Sequence, residues 1–225
     1  EKDKNFLGCS IAVPYKEQAF KILNNNIDKS SIGIGSINCI YRDKNFKLRG
    51  LNSDGIASLE VFEKKFGKIK SNKVAVIGYG GVGKSVAANF IKNNEVFVFS
   101  RKKNDELSCK KMKMNWNNFS DLNKRIKDID IVINCTSIGF NTMKNKSPIN
   151  LNTLKKLDKK TIIYDVIYNP KRTKLLLDSK KQNLKTLNGS SMNIYQALIA
   201  FKYVNNIKNK KSIKKIKNLM KSAVK

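Results

Sequence analysis

The 225-residue chain has no histidine. Proton transfer near neutral pH therefore falls to Lys, Asp, Glu, Tyr, Cys or water, and any triad or metal centre that needs an imidazole is excluded. Cysteine is sparse. Cys9, Cys39, Cys109 and Cys135 stand far apart with no C-x-x-C pair, which argues against a disulfide framework or a zinc ribbon and for a reduced, cytoplasmic chain. No metal site is expected. Uninterrupted apolar runs fall well short of the roughly 18 residues a membrane span needs. A signal-peptide pattern is absent too, and because the chain opens at Glu1 its true N-terminus is expected upstream. With 3 prolines and 12 glycines, no Pro-, Gly- or Ser-rich linker divides the sequence, and no internal repeat is visible.

Acidic residues are the other shortage: 17 Asp and Glu against 46 Lys and Arg, a formal net charge of +29. The hydrophobic fraction is 40%, enough for a core, so the charge does not make the chain a disordered polycation. Lysine supplies most of the excess, interleaved with Asn and Ile along the whole length. Arg forks and interleaved aromatics of the kind that read bases are missing. No specific nucleic-acid partner and no membrane are expected. Only residues 208–225 are locally dense. There Ile213, Ile216, Leu219 and Met220 recur at helical spacing, predicting a basic amphipathic helix whose apolar stripe docks on the body.

Apolar runs of strand length alternate with helix-period segments, the pattern of an α/β protein with a parallel sheet. Strands are predicted over 9–13, 35–40, 46–51, 73–77, 96–99, 129–134, 161–165 and 184–187. Pro14 and Pro170 each open a helix, the second running through Leu177. Further helices are predicted over 54–66, with Gly67 as C-cap, and over 83–93 and 190–204.

The 73–77 strand ends in Gly78-Tyr79-Gly80-Gly81-Val82-Gly83-Lys84-Ser85, which satisfies two fingerprints at once. As G-x-G-x-x-G, Gly78 makes the bend, Gly80 lets backbone approach a pyrophosphate, and Gly83 packs helix on strand. As G-x-x-x-x-G-K-S it is a literal P-loop, with Lys84 for phosphates, Ser85 for magnesium, and Asp165 as a second magnesium ligand. The next strand favours the dinucleotide. Its tip, Ser100-Arg101-Lys102-Lys103, lacks the acid that holds an adenine-ribose 2′-OH and offers cations that suit a 2′-phosphate. Arg101, with its planar fork, is the best placed.

Other polar residues stand where strands end. Lys16 falls in a first helical turn, against the helix dipole, although a solvated lysine is the ordinary reading among so many cations. Asn38 interrupts an apolar strand and needs either water or a specific partner. Asp54 opens a helix, where an N-cap role and a functional one are both open. Asn134 to Gly139 follows a strand at the carboxyl edge, where open α/β sheets bind ligands.

Read in order, these segments resemble the shikimate dehydrogenase family. Ser10-Ile-Ala-Val-Pro-Tyr-Lys16 is similar to its N-V-T-x-P-x-K, Gly35-Ser-Ile-Asn38-Cys39 to G-A-x-N-T, and Gly50-Leu-Asn52-Ser53-Asp54-Gly55 to G-x-N-T-D-G. Ile133-Asn-Cys-Thr136-Ser-Ile-Gly139 resembles I-N-A-T-S-x-G. Tyr164-Asp165-Val-Ile-Tyr168-Asn-Pro170 resembles Y-D-x-x-Y-x-P, and the stretch from Gly189 through Met192 to Gln196-Ala197 resembles G-x-x-M-x-x-x-Q-A.

The resemblance implies a Rossmann-type NADP-binding domain over residues 58–189 and a split α/β substrate domain over 1–57 and 190–225. It implies NADP-dependent reduction of 3-dehydroshikimate to shikimate, on the route to aromatic amino acids. Lys16 and Asp54 would be the catalytic pair. Asn38, Tyr168 and Gln196 would hold substrate, while Gly78, Gly80, Gly81, Gly83, Ser100, Arg101, Lys102, Thr136 and Gly189 would hold NADP(H).

Departures exist. Ala12 stands for a hydroxyl-bearing threonine, Ser10 for an asparagine and Cys39 for a threonine, and the family's Ser-x-Ser pair would lie upstream of this chain. A quinate-type dehydrogenase, a P-loop NTPase and a non-catalytic nucleotide-binding remnant are the alternatives. Oligomeric state, a homodimer among the options, is open.

Overall fold

The computed structural model describes Asp3 and residues 5–223. Two sheets organise them. The smaller is antiparallel, in the order β1 (Gly8–Ser10), β2 (Cys39–Arg42), β3 (Leu48–Leu51). Ser10 pairs with Cys39 and Cys39 with Leu51, so the ends of β1 and β3 and the start of β2 lie in one row. Whatever follows β1 and β3, or precedes β2, leaves the sheet on the same side.

The larger sheet is parallel, with strands β4 (Lys73–Ile77), β5 (Glu95–Ser100), β6 (Asn115–Asn118), β7 (Ile131–Asn134), β8 (Ile162–Asp165) and β9 (Lys185–Leu187). Its order is β6-β5-β4-β7-β8-β9. Counted within the sheet this is 3-2-1-4-5-6, the doubly wound dinucleotide order, whose ligand crevice lies at the carboxyl ends beside the first strand.

Nine helices are described: α1 (Lys16–Leu23), α2 (Asp54–Phe66), α3 (Gly81–Phe90), α4 (Asp105–Lys111), α5 (Leu122–Arg125), α6 (Leu151–Lys155), α7 (Lys174–Lys181), α8 (Ser190–Val204) and α9 (Lys210–Ser222). The period of a strand splits its residues between two faces. Val74 and Val76 of β4 join Phe62 of α2, Phe90 of α3 and Met192 of α8 on one face. Ala75 and Ile77 join Leu122, Leu154 and Leu175 of α5, α6 and α7 on the other. Burial on both faces is why β4 reads as a continuous apolar run. α2 follows β3 of the small sheet yet packs on α3 and α8, so its N-terminus is fixed between the two sheets.

Several expectations shift. Residues 35–38 are not strand: Gly35 has a left-handed φ of +74°, and Asn38 turns inward one residue before β2 to bond other side chains. The helix expected from Pro170 starts at Lys174, where the Thr173 hydroxyl accepts from the Leu176 N–H. β6 was not expected, because Asn115-Trp-Asn-Asn carries little strand propensity; as an edge strand it pairs with β5 alone.

The basic C-terminal helix forms as α9, with Val224 and Lys225 outside the described residues. Its stripe docks incompletely: Ile213, Ile216 and Met220 are half-buried, and Leu219 is exposed. Among the described residues no helix is long and apolar enough to cross a membrane.

Candidate active site

The aligned strand ends of the small sheet deliver three segments to one place. α1 starts with Lys16, Asn38 precedes β2, and Asp54 starts α2. The Lys16 ammonium donates to Asp54 Oδ2 at 2.6 Å, with the two residues only 9% and 4% exposed. The Asp54 end of this pair is helped by the α2 dipole, whereas Lys16 opposes that of α1. The contact with the carboxylate is what makes a buried lysine tenable at that position.

Asp54 is fully engaged. Its Oδ1 accepts from Asn38 Nδ2 at 2.9 Å and its N–H donates to Asn52 Oδ1 at 3.1 Å. Asn38 Oδ1 accepts from the Ser53 N–H at 2.9 Å, and Asn38 Nδ2 also donates to Gln196 Oε1 at 3.1 Å. Asn38 thereby ties α2 to α8. A cavity of about 380 Å³ opens over this group, lined by Lys16, Asp54, Asn38, Tyr168, Gln196 and the apolar Ala12–Val13 stretch among others. Tyr168, 48% exposed, forms part of its wall. Sequence reasoning missed Ser53, Asn52 and Asn193; Gln196 Nε2 donates to the Asn193 carbonyl at 3.1 Å. The first two lie inside a segment already singled out, so polar residues flanking Asp54 were the available signal.

The glycine loop lies against the same pair. Gly78 has φ +89°. A Cβ on Gly83 would collide with the Gly78 carbonyl, whereas one on Gly80 would meet nothing within 4 Å. Gly80 thus leaves an open cradle at the start of α3, whose first-turn N–H groups lack intrahelical partners. The residues present fit a dinucleotide diphosphate. Gly81 is pressed on the aliphatic stem of Lys16: a Cβ added there would lie only 3.1 Å from the Lys16 Cβ and Cδ. Gly189 touches the Val166 carbonyl so closely that no larger residue fits, a packing reason independent of any ligand.

Arg101 and Lys102 are exposed at the tip of β5. Lys103 instead pairs with Glu106 at 2.6 Å and lies over the Trp116 ring. Ser100 is buried, its hydroxyl oxygen accepting from Trp116 Nε1 at 2.8 Å. That partner belongs to the unanticipated strand β6. Thr136 is engaged as well, donating to Asn134 Oδ1 at 2.7 Å while its methyl abuts Gly78.

The P-loop alternative fails on three contacts. Ser85 is fully buried and accepts from the Gly55 N–H at 2.8 Å. Lys84 pairs with Glu17 at 2.8 Å. Asp165 accepts from Thr173 Oγ1 at 2.6 Å and from Asn134 Nδ2 at 3.1 Å. None of the three is left for a metal–nucleotide complex.

Burial pushes the Asp165 carboxyl up to about 6, against hydrogen bonds from Thr173, the Ile167 N–H and Asn134 that pull it down. Because this lies above the unfolded value, keeping Asp165 charged costs stability at higher pH. The cost fades as pH falls through 6 toward the ordinary 3.8. Asp165→Asn should therefore flatten part of the gain in unfolding free energy that the wild type shows on acidification over that window. Urea unfolding at several pH values checks this, and identical slopes would remove Asp165 as the titrating group. Ser85→Ala strands the Gly55 N–H and should cost about 1–3 kcal/mol of stability while leaving dinucleotide affinity unchanged. Calorimetry and cofactor titration together test that outcome.

The family model described as shikimate / quinate 5-dehydrogenase matches residues 60–183. The shikimate dehydrogenase (NADP(+)) of Methanococcus vannielii is 33% identical over 98% of this chain and 81% of its own length. That of Methanocaldococcus jannaschii is 33% identical over 89% of this chain and 73% of its own. A solved shikimate dehydrogenase in complex with NADP+ superposes with a TM-score of 0.81 at 29% identity, covering 98% of this chain and 77% of that one.

Proposed function

The chain belongs to the shikimate/quinate dehydrogenase family, and we propose that it reduces the ring ketone of 3-dehydroshikimate to the alcohol of shikimate with NADPH. The observation that carries this reading is the buried Lys16–Asp54 pair, 2.6 Å apart at the cavity and in contact with Gly81 of the glycine loop. Bound NADPH supplies the hydride. As the carbonyl carbon accepts it, negative charge grows on the oxygen, and the Lys16 ammonium is the group that can meet it. An N–H aimed at that oxygen stabilises the charge and then delivers the proton, so the ketone gains one hydride and one proton. Asp54 fixes where the ammonium points, and Asn38 fixes Asp54 through a 2.9 Å hydrogen bond. Gln196 and Tyr168 are suited to the ring hydroxyls.

On this reading residues 1–57 and 190–225 serve the substrate and 58–189 the dinucleotide. Arg101 and Lys102 take the 2′-phosphate from the open end of β5. Gly78, Gly80, Gly81 and Gly83 take the diphosphate, and Gly189 and Thr136 border the remaining cofactor path. All four cysteines are free, which supports a reducing compartment such as the cytoplasm.

Ala12 in the cavity wall offers no hydroxyl to a ring acid, so quinate is the comparison substrate. Loss of NADPH absorbance with 3-dehydroshikimate is the expected result. Faster turnover of quinate with NADP+ than of shikimate would reassign the substrate, and NADPH binding without any turnover would make the protein a non-catalytic binder. Lys16→Met keeps the stem that packs on Gly81 but removes the ammonium; kcat should fall by about 100- to 1,000-fold with NADPH affinity nearly unchanged. Arg101→Ala should weaken NADPH by about 10- to 100-fold, the scale of a lost charged hydrogen bond, and leave NADH binding as it was. Equal effects on the two cofactors would remove Arg101 from the 2′-phosphate.

A further inference from the structure

Three consecutive residues just before β2 each grip a different part of the site. The Ile37 N–H donates to the Lys16 carbonyl at 3.0 Å, Asn38 holds Asp54, and Ser36 reaches across to the glycine loop. The Ser36 hydroxyl donates to the Gly81 carbonyl at 2.9 Å. Its direction is fixed, because its other neighbour is Asn52 Nδ2, a donor, at 2.9 Å. The opposite end of the Asn52 amide accepts from the Asp54 N–H. An unbroken line of hydrogen bonds therefore runs from the Asp54 backbone through Asn52 and Ser36 to Gly81. Ser36 and Asn52 are both fully buried, so water does not compete for their side chains.

Among the described residues this is the one side-chain hydrogen bond to the backbone of residues 78–83. The neighbouring ties, Gly55 to Ser85 and Glu17 to Lys84, hold α3 one step further along. Since Gly81 also rests on the Lys16 stem, the height of the loop and the position of the ammonium are set by the same contact.

We propose that Ser36 is a positioning residue: its hydroxyl holds the dinucleotide loop in register with the Lys16–Asp54 pair, so that cofactor binding and catalytic geometry are coupled through it. The proposal rests on the dinucleotide reading above. Without the hydroxyl, Gly81 is released toward the cradle, and the ordering cost of re-forming the loop falls on cofactor binding.

Ser36→Ala isolates the effect. Asn52 Nδ2 loses the Ser36 hydroxyl but keeps the Ser36 carbonyl, which it also contacts at 2.9 Å, so the Gly81 carbonyl is the group left without its side-chain partner. The G-A-x-N-T pattern that this segment resembles carries alanine there, so the fold accommodates the change. In the full chain, fluorescence titration should give NADPH affinity weakened by about 3- to 10-fold, the range of one neutral hydrogen bond. Amide exchange of residues 79–84 without cofactor should quicken while the small sheet keeps its protection. KM for NADPH should rise with KM for 3-dehydroshikimate unchanged. A purely structural serine would instead lower thermal stability and leave that split untouched. NADPH affinity within about twofold of wild type, or unchanged loop exchange, overturns the role of Ser36 alone. Absence of saturable NADPH binding by the wild type overturns the dinucleotide reading and this proposal with it.

Discussion

A lysine ammonium and an aspartate carboxylate nearly closed to water, 2.6 Å apart, dictate what surrounds them. Removing either partner of such a pair leaves a buried charge uncompensated, a penalty of about 3–5 kcal/mol. The two residues are 38 positions apart in sequence, so the chain must bring two helix starts together and keep them there. The small sheet does this through register. Ser10, Cys39 and Leu51 share a row, and the segments beyond them converge with no long connection. Asn38 and Asn52 then engage the other carboxylate oxygen and the N–H of Asp54, leaving the ammonium as the group with hydrogens to spare.

The charge imbalance acquires a different meaning beside this pair. Six ion pairs occur among the described residues, and Lys16–Asp54 is the one in which both side chains are nearly closed to solvent. Most other lysines are solvated, where an ion pair is worth little and the ammonium is worth mainly solubility. A global excess of +29 thus carries less functional information than one cation placed against an opposing dipole. Lys84–Glu17 is intermediate: it joins α3 to α1 at the rim of the site, using one of the few acids available.

Legibility followed how local each signal was. α2 and α8 have the bounds expected from Asp54, Gly67 and the 190–204 periodicity, and β4 matches to the residue. In each case burial and local propensity agree. β6 escaped because its strand character comes from pairing with β5 rather than from its own side chains, and with it went the Trp116 contact that occupies Ser100. Lys16 could not be told from its fellow cations by composition; only the ordered segments around it singled it out. Ser36 and Asn52 gave no separate signal, since a serine near a glycine and an asparagine near a turn are ordinary in loops. Their importance is a property of the contact between sheets, which no local pattern encodes.

The loop at 78–85 carries that point further. Eight residues satisfy two phosphate-binding fingerprints equally, and the choice between them is made by what α2 does to α3. The helices approach so closely at Gly55 that any Cβ there would strike the Ser85 carbonyl. A serine facing that contact is sealed and spends its hydroxyl on the Gly55 N–H. The same approach sets Asp54, the residue before Gly55, with its carboxylate on the Lys16 ammonium, whose stem meets Gly81 of the loop. Packing that denies the loop a metal-binding serine is therefore the packing that sets the carboxylate partner of the Lys16 ammonium. Neither outcome is independent of the other, because Asp54 and Gly55 are adjacent on α2 and a change that loosened α2 from α3 would disturb both the Lys16–Asp54 pair and the Gly55–Ser85 contact.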